Sequence, residues 1–270
     1  MLRRTYLATA LLLVGSTTLA CAGEEPTSAA STVEKKVPPK VNLFVDFDDS
    51  VGVEGSVMPG VENSGTTPVD IELVTQSGGR IVREDGPTGN AGRFPELDKS
   101  MAAAIVIRST GPKDALSPGT RTFRVGADFR LDAESGGLPT DNGDNLVQRG
   151  LYGGTAQYKL QLDKGYASCR VAGDRGAVLA RAPLPVETDQ WYRVTCLRQG
   201  DTLKLNLLKS DDGTWRSLGP WTASGRIGLV RFSRGTPLSV GAKILAGGEI
   251  VRSGPDQFNG AVDNVQFKLL

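Results

Sequence analysis

The amino-acid sequence predicts an all-β protein, folded as a two-sheet antiparallel jelly-roll sandwich. Apolar and polar residues alternate strictly in several short segments, of which 121–131 is the clearest, and such alternation is typical of half-buried strands. The chain has 34 glycines, and turn-forming clusters of Gly, Pro, Asn and Asp separate the alternating segments. No amphipathic helix of a dozen residues is found in the sequence. Many short strands at this spacing favour two packed antiparallel sheets.

The predicted strands follow one another along most of the chain. The segment 121–131 defines the pattern, because its odd-numbered positions from Phe123 to Leu131 are apolar and Arg124, Asp128 and Arg130 face away. Strands are predicted at 41–47, 69–74, 102–108, 121–131, 145–149, 156–162, 167–171, 191–198, 203–207, 226–232, 237–244 and 261–269. Turns are predicted at 141–144, which reads D-N-G-D, and at 211–213, which reads D-D-G.

Composition and charge restrict the functions that the chain can have. Apolar residues make up 39% of the 270 residues, which is enough to form a core. The net charge is +1, so no overall field favours nucleic acid. The chain contains no histidine, which excludes Ser–His–Asp and Cys–His catalysis, His-ligated zinc and a histidine pH switch.

The N-terminal residues 1–20 read as a bacterial export signal. Arg3 and Arg4 precede an apolar run from Tyr6 to Val14, and small residues follow up to Cys21. The run is shorter than the roughly 20 residues that a membrane span needs. Cys21 stands where a lipobox has its acylated cysteine, whereas A-C-A at 20–22 also reads as an ordinary cleavage site. Lipidation at Cys21, soluble secretion and an uncleaved anchor therefore remain open, and all three place the protein outside the cell or on its surface.

Residues 21–40 are predicted to form a flexible linker, and residues 41–270 the folded domain. The linker is rich in Ala, Ser, Thr, Pro and charged residues and has no aromatic residue. Such a segment buries too little apolar surface to offset its ordering entropy. We expect it to tether the domain, with lipid at Cys21 as the one contact with a membrane.

Two further cysteines, Cys169 and Cys196, lie in predicted strands. An even pair in an exported chain most simply forms one disulfide. The alternative is two free buried thiols. A metal site would need more ligands of this type than the chain provides.

Five further segments stand in a fixed order along the chain. They read F-V-D-F-D-D-S-V-G at 44–52, N-L-V-Q-R-G at 145–150, W-Y-R-V-T-C at 191–196, G-D-T-L at 200–203 and F-N-G-A-V-D-N-V at 258–265. Together they resemble the laminin G-like domains of the concanavalin A-like lectin and glucanase group. The resemblance covers about residues 41–270, and the cysteine pair is similar to that of secreted actinobacterial members. It implies a jelly-roll sandwich whose first and last strands are neighbours. Members mostly bind glycans or proteins, and some relatives hydrolyse glycans.

The sequence does not favour catalysis. Glycoside hydrolysis normally uses two carboxylates, and the hydrolytic relatives carry E-x-D-x-x-E on one strand. The nearest match begins at Glu187 and Asp189, but Tyr192 stands in place of the last Glu. A lyase pair of Tyr158 and Lys159 is a poor alternative, because adjacent strand residues point to opposite faces. No catalytic residue is therefore assigned, with a divergent hydrolase or lyase as the alternative.

Calcium is the one cofactor that the sequence suggests. Asp263 has the same period-two spacing as Ala261, Val265 and Phe267, and a carboxylate in an apolar register is costly unless it is paired or bound to a cation. In the resembled family the matching Asp sometimes holds Ca²⁺, and Asp48 lies in the matching N-terminal strand. The alternative is that Asp263 accepts backbone or arginine hydrogen bonds.

A glycan site is predicted from oxygen-rich and aromatic residues. Asp141, Asn142 and Asp144 lie in a predicted loop, and their side-chain oxygens suit Ca²⁺ or sugar hydroxyls. The sequence D-N-G-D is also typical of an ordinary turn. Trp215 and Trp221 are candidate stacking platforms for sugar rings, or else core residues. We therefore expect an exported, non-catalytic module that binds an extracellular glycan or protein; a purely structural envelope protein is the alternative.

Overall fold

The structure is a computed structural model that describes residues 42–49, 52–95, 101–132 and 144–270. The predicted export signal (1–20), the linker (21–40) and Cys21 lie outside these residues, as do Asp141 and Asn142. The described part of the chain contains no helix long and apolar enough to span a membrane.

The described residues form sixteen β-strands and no α-helix. The strands are β1 (Leu43–Val45), β2 (Val69–Gln76), β3 (Val82–Asp85), β4 (Asn90–Arg93), β5 (Ala102–Ser109), β6 (Phe123–Leu131), β7 (Asp144–Arg149), β8 (Gln157–Asp163), β9 (Tyr166–Gly173), β10 (Gly176–Arg181), β11 (Trp191–Gln199), β12 (Thr202–Asp211), β13 (Thr214–Ser217), β14 (Trp221–Ser224), β15 (Leu238–Val240) and β16 (Gly260–Leu269).

The strands form two antiparallel sheets, which confirms the predicted fold class. The nine-stranded sheet has the order β13-β12-β11-β6-β16-β4-β3, with β1 beside β16 and β14 beside β12. The seven-stranded sheet has the order β10-β9-β8-β7-β15-β5-β2. β1 pairs with β16, so the first and last strands are neighbours, as the resemblance implied.

The core lies between the two sheets and is built from the apolar positions of the alternating strands. Phe123 of β6, Tyr158 of β8 and Phe267 of β16 meet there, with ring centres 5.4 to 5.6 Å apart. Each of these side chains is fully buried. Aromatic contacts of this kind add to the free energy gained from burial alone.

The predicted disulfide is present and joins the two sheets. Cys169 of β9 and Cys196 of β11 are fully buried and bonded, with their Cα atoms 6.1 Å apart. The covalent link therefore crosses the core between β9 and β11.

The predicted strand at 226–232 is wrong. Only Val230 in this segment makes a β-bridge, to Gly119. The backbone N–H groups of Ile227 and Gly228 donate instead to the carboxylate of Asp201 (3.1 and 3.2 Å). Gly228 also has a φ of +71°, which a regular strand does not contain.

The period-two spacing of Asp263 with Val265 and Phe267 is also interrupted. β16 changes its partner from β4 to β1 here, and its register with β6 shifts by one residue between Asp263 and Gln266. Asn264 has a φ of +50°, which is typical of a bulge. Because of the extra residue, Asp263 lies opposite Asp128 on the outer face of the nine-stranded sheet, whereas Val265 and Phe267 point into the core.

Candidate functional site

The outer face of the seven-stranded sheet is covered along one half by the chain segment 241–257. Ala242, Ile244 and Ile250 of this segment pack on Ala104 and Val106 of β5. The segment reaches Asn145 of β7 and Lys159 of β8 and leaves an open space beside it on this face, over β8 to β10. A groove of about 600 Å³ lies there.

The floor of the groove is a single row of side chains that crosses four strands. Gln148 of β7 lies opposite Lys159 of β8, Lys159 opposite Arg170 of β9, and Arg170 opposite Leu179 of β10. Residues paired in this way project from the same face of a sheet. Gln157 and Gln161 flank Lys159 at two-residue spacing along β8 and also line the groove.

An aromatic ring stands at the edge of this floor. Tyr152, in the turn between β7 and β8, is 79% exposed, and the guanidinium carbon of Arg170 lies 4.4 Å from the centre of its ring. Arg170 also donates a hydrogen bond to Oε1 of Gln157, whose Nε2 donates to the carbonyl oxygen of Gly150 (3.2 Å). Arg170 thus covers one face of the Tyr152 ring, while most of the side chain remains exposed.

A carboxylate and two ammonium groups close the groove against the covering segment. The carboxylate of Asp256 accepts hydrogen bonds from Nζ of Lys159 (2.9 Å) and of Lys243 (3.1 Å). Burial acts to raise the pKa of Asp256, but the two ammonium groups outweigh it and hold the pKa below its ordinary value. Asp256 is therefore ionised at neutral pH.

A smaller, more apolar cavity of about 210 Å³ adjoins the groove. Gln148 lines both spaces and is 3% exposed. Its Nε2 donates to the carbonyl oxygen of Gly150 (2.7 Å), whereas its Oε1 has no hydrogen-bond partner among the described residues. Gly150 O can only accept, so this contact fixes which end of the Gln148 amide is the nitrogen.

A second polar cluster lies on the outer face of the other sheet, around Asp263. The side chain of Asn264 donates hydrogen bonds to Oδ2 of Asp263 (2.8 Å), Oδ2 of Asp128 (2.9 Å) and Oγ1 of Thr88 (3.0 Å). Asp128 also accepts two hydrogen bonds of 2.6 Å from Arg193. Asp128 and Asp263 are both fully buried.

The two carboxyl groups differ in what compensates their burial. Burial raises the pKa of Asp128, although the bidentate arginine opposes this shift. Burial raises the pKa of Asp263 to about 9, and the nearby carboxylates of Asp128, Asp48 and Asp46 act in the same direction. Asp263 is therefore protonated at neutral pH unless a cation approaches it.

The structure brings the predicted calcium residues Asp48 and Asp263 into one neighbourhood. Asp48 accepts a hydrogen bond from the backbone N–H of Asn90 (2.8 Å) and contributes to the raised pKa of Asp263. However, no three acidic, cysteine or histidine side chains within the described ranges are close enough together to hold a metal ion. A calcium ion here would need backbone carbonyl or water oxygens to complete its six to eight ligands.

Of the predicted glycan-binding residues, Trp215, Trp221 and Asp144 are described by the structure, and these three do not converge on one surface. Trp215 lies on the outer face of the nine-stranded sheet, opposite Ser210, with the guanidinium carbon of Arg193 4.5 Å from its ring centre. Trp221 lies opposite the buried Leu205 and packs partly against the core. Asp144 is half-buried at the start of β7. None of these three residues lines the groove.

The residues considered for catalysis are also separated. Glu187 is exposed and paired with Lys209 at 2.8 Å, and it lies outside the groove. Tyr158 is buried and donates to the carbonyl oxygen of Leu116 (3.1 Å), whereas Lys159 faces the groove. The groove is lined by two carboxylates, Asp163 and Asp256. Since the pKa of Asp256 is lowered, this group lacks the raised pKa of a glycosidase general acid.

Comparison with known proteins supports the fold and goes no further. No protein-family model matches the chain, and no curated protein matches it. A structure of the botulinum neurotoxin type G receptor-binding domain is similar in fold, with a TM-score of 0.50 and 7% identity, over 85% of this chain and 47% of that one. A crystal structure of an HCR/D mutant gives a TM-score of 0.50 and 9% identity, over 83% of this chain and 48% of that one. The chain spans about half the length of these structures, and at such identities the likeness shows a β-sandwich fold alone.

Sequence reasoning missed the groove, although one signal of it was present. The segment 157–161 alternates long amide or ammonium side chains with the buried Tyr158 and Leu160, which marks one polar face of β8. The positions of Lys243 and Asp256, about a hundred residues away, depend on how the covering segment folds back. No local pattern records that contact.

Proposed function

We propose that the domain is a non-catalytic module that binds an extracellular glycan, and that the groove on the outer face of the seven-stranded sheet is its binding site. The observation that carries the proposal is the floor of the groove. It presents amide, ammonium and guanidinium groups in one cross-strand row, beside the exposed ring of Tyr152.

These groups match the chemistry of sugars. Hydroxyl groups both donate and accept hydrogen bonds, and the amide of the half-buried Gln161 offers both functions. The apolar C–H face of a sugar ring packs on an aromatic ring such as that of Tyr152. Pockets that combine apolar surface with a few fixed polar groups are the usual form of a ligand site.

Further observations agree with binding outside the cell. The buried Cys169–Cys196 disulfide is typical of proteins in an oxidising compartment. One fold neighbour is described as a receptor-binding domain, which agrees with a binding role. We propose that residues 1–20 direct export, that residues 21–40 act as the tether, and that Cys21 carries the lipid. Mass spectrometry of the mature N-terminus tests this proposal. An unmodified N-terminal Ala22 or Gly23 would contradict lipidation.

A printed array of neutral and acidic oligosaccharides, followed by calorimetric titration of the best ligand, tests the glycan proposal. Replacing Tyr152 with alanine should weaken binding about tenfold or more, since aromatic anchors at binding sites typically contribute at least this much. Binding to protein preparations without binding to any glycan would contradict the proposal.

The chain provides a matched control for this variant. Tyr166 is stacked by Arg181, with the guanidinium carbon 4.6 Å from the ring centre, but neither residue lines the groove. Tyr166→Ala should therefore leave affinity unchanged, while a loss in both variants would point to a folding effect. Trp215→Ala tests the platform predicted from sequence, and loss of binding in that variant alone would place the site on the opposite sheet.

Calcium binding at Asp48 and Asp263 is a separate proposal, supported by the accumulation of carboxylates around Asp263. Calcium would replace the proton on Asp263 and should raise the unfolding temperature at pH 8. The Asp263→Asn variant should show no such rise, and an equal rise in both proteins would place the ion elsewhere.

A further inference from the structure

The groove contains cations whose charge the protein does not fully balance. Arg170 contacts the amide oxygen of Gln157 and the ring of Tyr152, and it forms no ion pair in the part of the chain that the structure describes. Its positive charge is therefore held over the open floor by a neutral amide and an aromatic ring.

The second cation is Lys243, which extends from the covering segment to Asp256. The carboxylate of Asp256 already accepts a hydrogen bond from Lys159, so Lys243 shares a partner that another ammonium group holds. The side chain of Lys243 is 25% exposed, against 11% for Asp256. A ligand in the groove thus meets the ammonium group more readily than the carboxylate.

The remaining acidic residue of the groove does not cancel this charge. Asp163 lies at the end of β8, and its carboxylate is 3.8 Å from Arg181, an arginine outside the groove. Arg170 and Lys243 thus approach the same open space from the sheet and from the covering segment. Cations placed around one space favour a ligand that carries negative charge there.

We propose that the groove selects a glycan that carries carboxylate groups, and that Arg170 and Lys243 hold the carboxylate. This inference rests on the proposed function, because it specifies the ligand of the same groove. The guanidinium group of Arg170 suits a planar carboxylate, to which it donates two parallel hydrogen bonds. Lys243 contributes a mobile point charge from the other side, and calcium takes no part in the contact.

Polygalacturonate, hyaluronan and alginate, each compared with a form in which the carboxylates are esterified, provide the test. Titrations are made in EDTA at two salt concentrations. We expect the acidic polymers to bind, the esters to bind at least tenfold more weakly, and the affinity for the acids to fall as salt rises. Equal affinity for acid and ester, binding that needs calcium, or no binding to any acidic polymer would overturn the proposal.

Variants that remove a positive charge test which residues of the groove contact the carboxylate of the glycan. Arg170→Gln and Lys243→Gln should each weaken binding about tenfold, since a hydrogen bond to a charged group typically contributes enough for such a change. Arg170→Lys keeps the charge and should recover part of the loss. Arg216→Gln, on β13 of the opposite sheet and paired with Asp211, is the control and should bind like the parent. Unchanged affinity in both groove variants would overturn the proposal.

The outcomes separate this inference from the function on which it rests. Neutral glycans could bind, with an affinity that falls in Tyr152→Ala but not in Tyr166→Ala. That result would support the proposed glycan-binding function and overturn only the preference for carboxylates. Sulfated glycans that bind while uronates do not would equally overturn the inference.

Discussion

The disulfide offers the most direct measurement of what stabilises the sandwich. Replacing Cys169 and Cys196 together by alanine removes a link between two fully buried positions, one in each sheet. Each substitution deletes one buried sulfur atom, which leaves a small cavity between the sheets but no unpaired thiol. Removing the link also raises the conformational entropy of the unfolded chain, because the loop is no longer closed.

The size of this effect follows from the length of the loop. The two cysteines are 27 residues apart in sequence, and the chain-entropy model gives about 3.5 kcal/mol for closing such a loop at 25 °C. A change of 1 kcal/mol shifts the unfolding temperature of a domain of this size by about 2–4 °C. The double variant should therefore unfold about 7–14 °C below the parent.

Differential scanning calorimetry with and without reductant measures this difference. A reductant should lower the unfolding temperature of the parent towards that of the Cys169→Ala/Cys196→Ala variant and leave the variant unchanged. A loss of less than about 1 kcal/mol, converted by the same relation, would refute the argument from chain entropy. Alkylation of two thiols in the native parent would show that the link does not form.

Two further predictions concern the carboxyl groups on the outer face of the nine-stranded sheet. Burial raises the pKa of Asp263 to about 9. Between pH ~4 and pH ~9 the folded state therefore keeps a proton on Asp263 that the unfolded state releases. The free energy of unfolding falls progressively as the pH rises through this range. In EDTA, Asp263→Asn should therefore unfold at a higher temperature than the parent at pH 8 but not at pH 4.5; parallel pH profiles would contradict this. Arg193→Met leaves the buried Asp128 without its bidentate partner and should cost about 3–5 kcal/mol in denaturant unfolding at pH 8. Arg216→Met, which breaks the exposed 3.0 Å pair with Asp211, is the control and should cost at most about 1 kcal/mol.

The fold was predictable because period-two alternation is a local property of a strand. Phe123 to Leu131 and Tyr158 to Leu162 show it over a whole strand, and both form strands of the sandwich. Short strands lack this signal, and β3, β4, β13 and β14, each of four residues, were not predicted. In β10 the alternation is masked, because Ala177 and Leu179 are apolar but exposed.

The position of Asp263 shows where a sequence pattern misleads even inside a correctly predicted strand. Its spacing with Val265 and Phe267 places all three on one face only if the strand is regular. The bulge at Asn264 adds one residue to that count, and a shift of one residue moves a side chain to the opposite face. The change of partner strand from β4 to β1 that accompanies the bulge is a long-range event, so the local sequence does not reveal it.

The two outer faces of the sandwich carry different charges, which the overall composition does not reveal. Three further aspartates lie near Asp263 beside the nine-stranded sheet, whereas the groove on the seven-stranded sheet presents Arg170 and Lys243. The net charge of +1 averages over these opposite surfaces, and a ligand within a Debye length of one face responds to that face alone. A nearly neutral chain is thus compatible with a groove that selects acidic glycans. Because Asp263 and the groove lie on opposite sheets, changes at Asp263 should alter stability without altering the affinity of the proposed ligand in the groove.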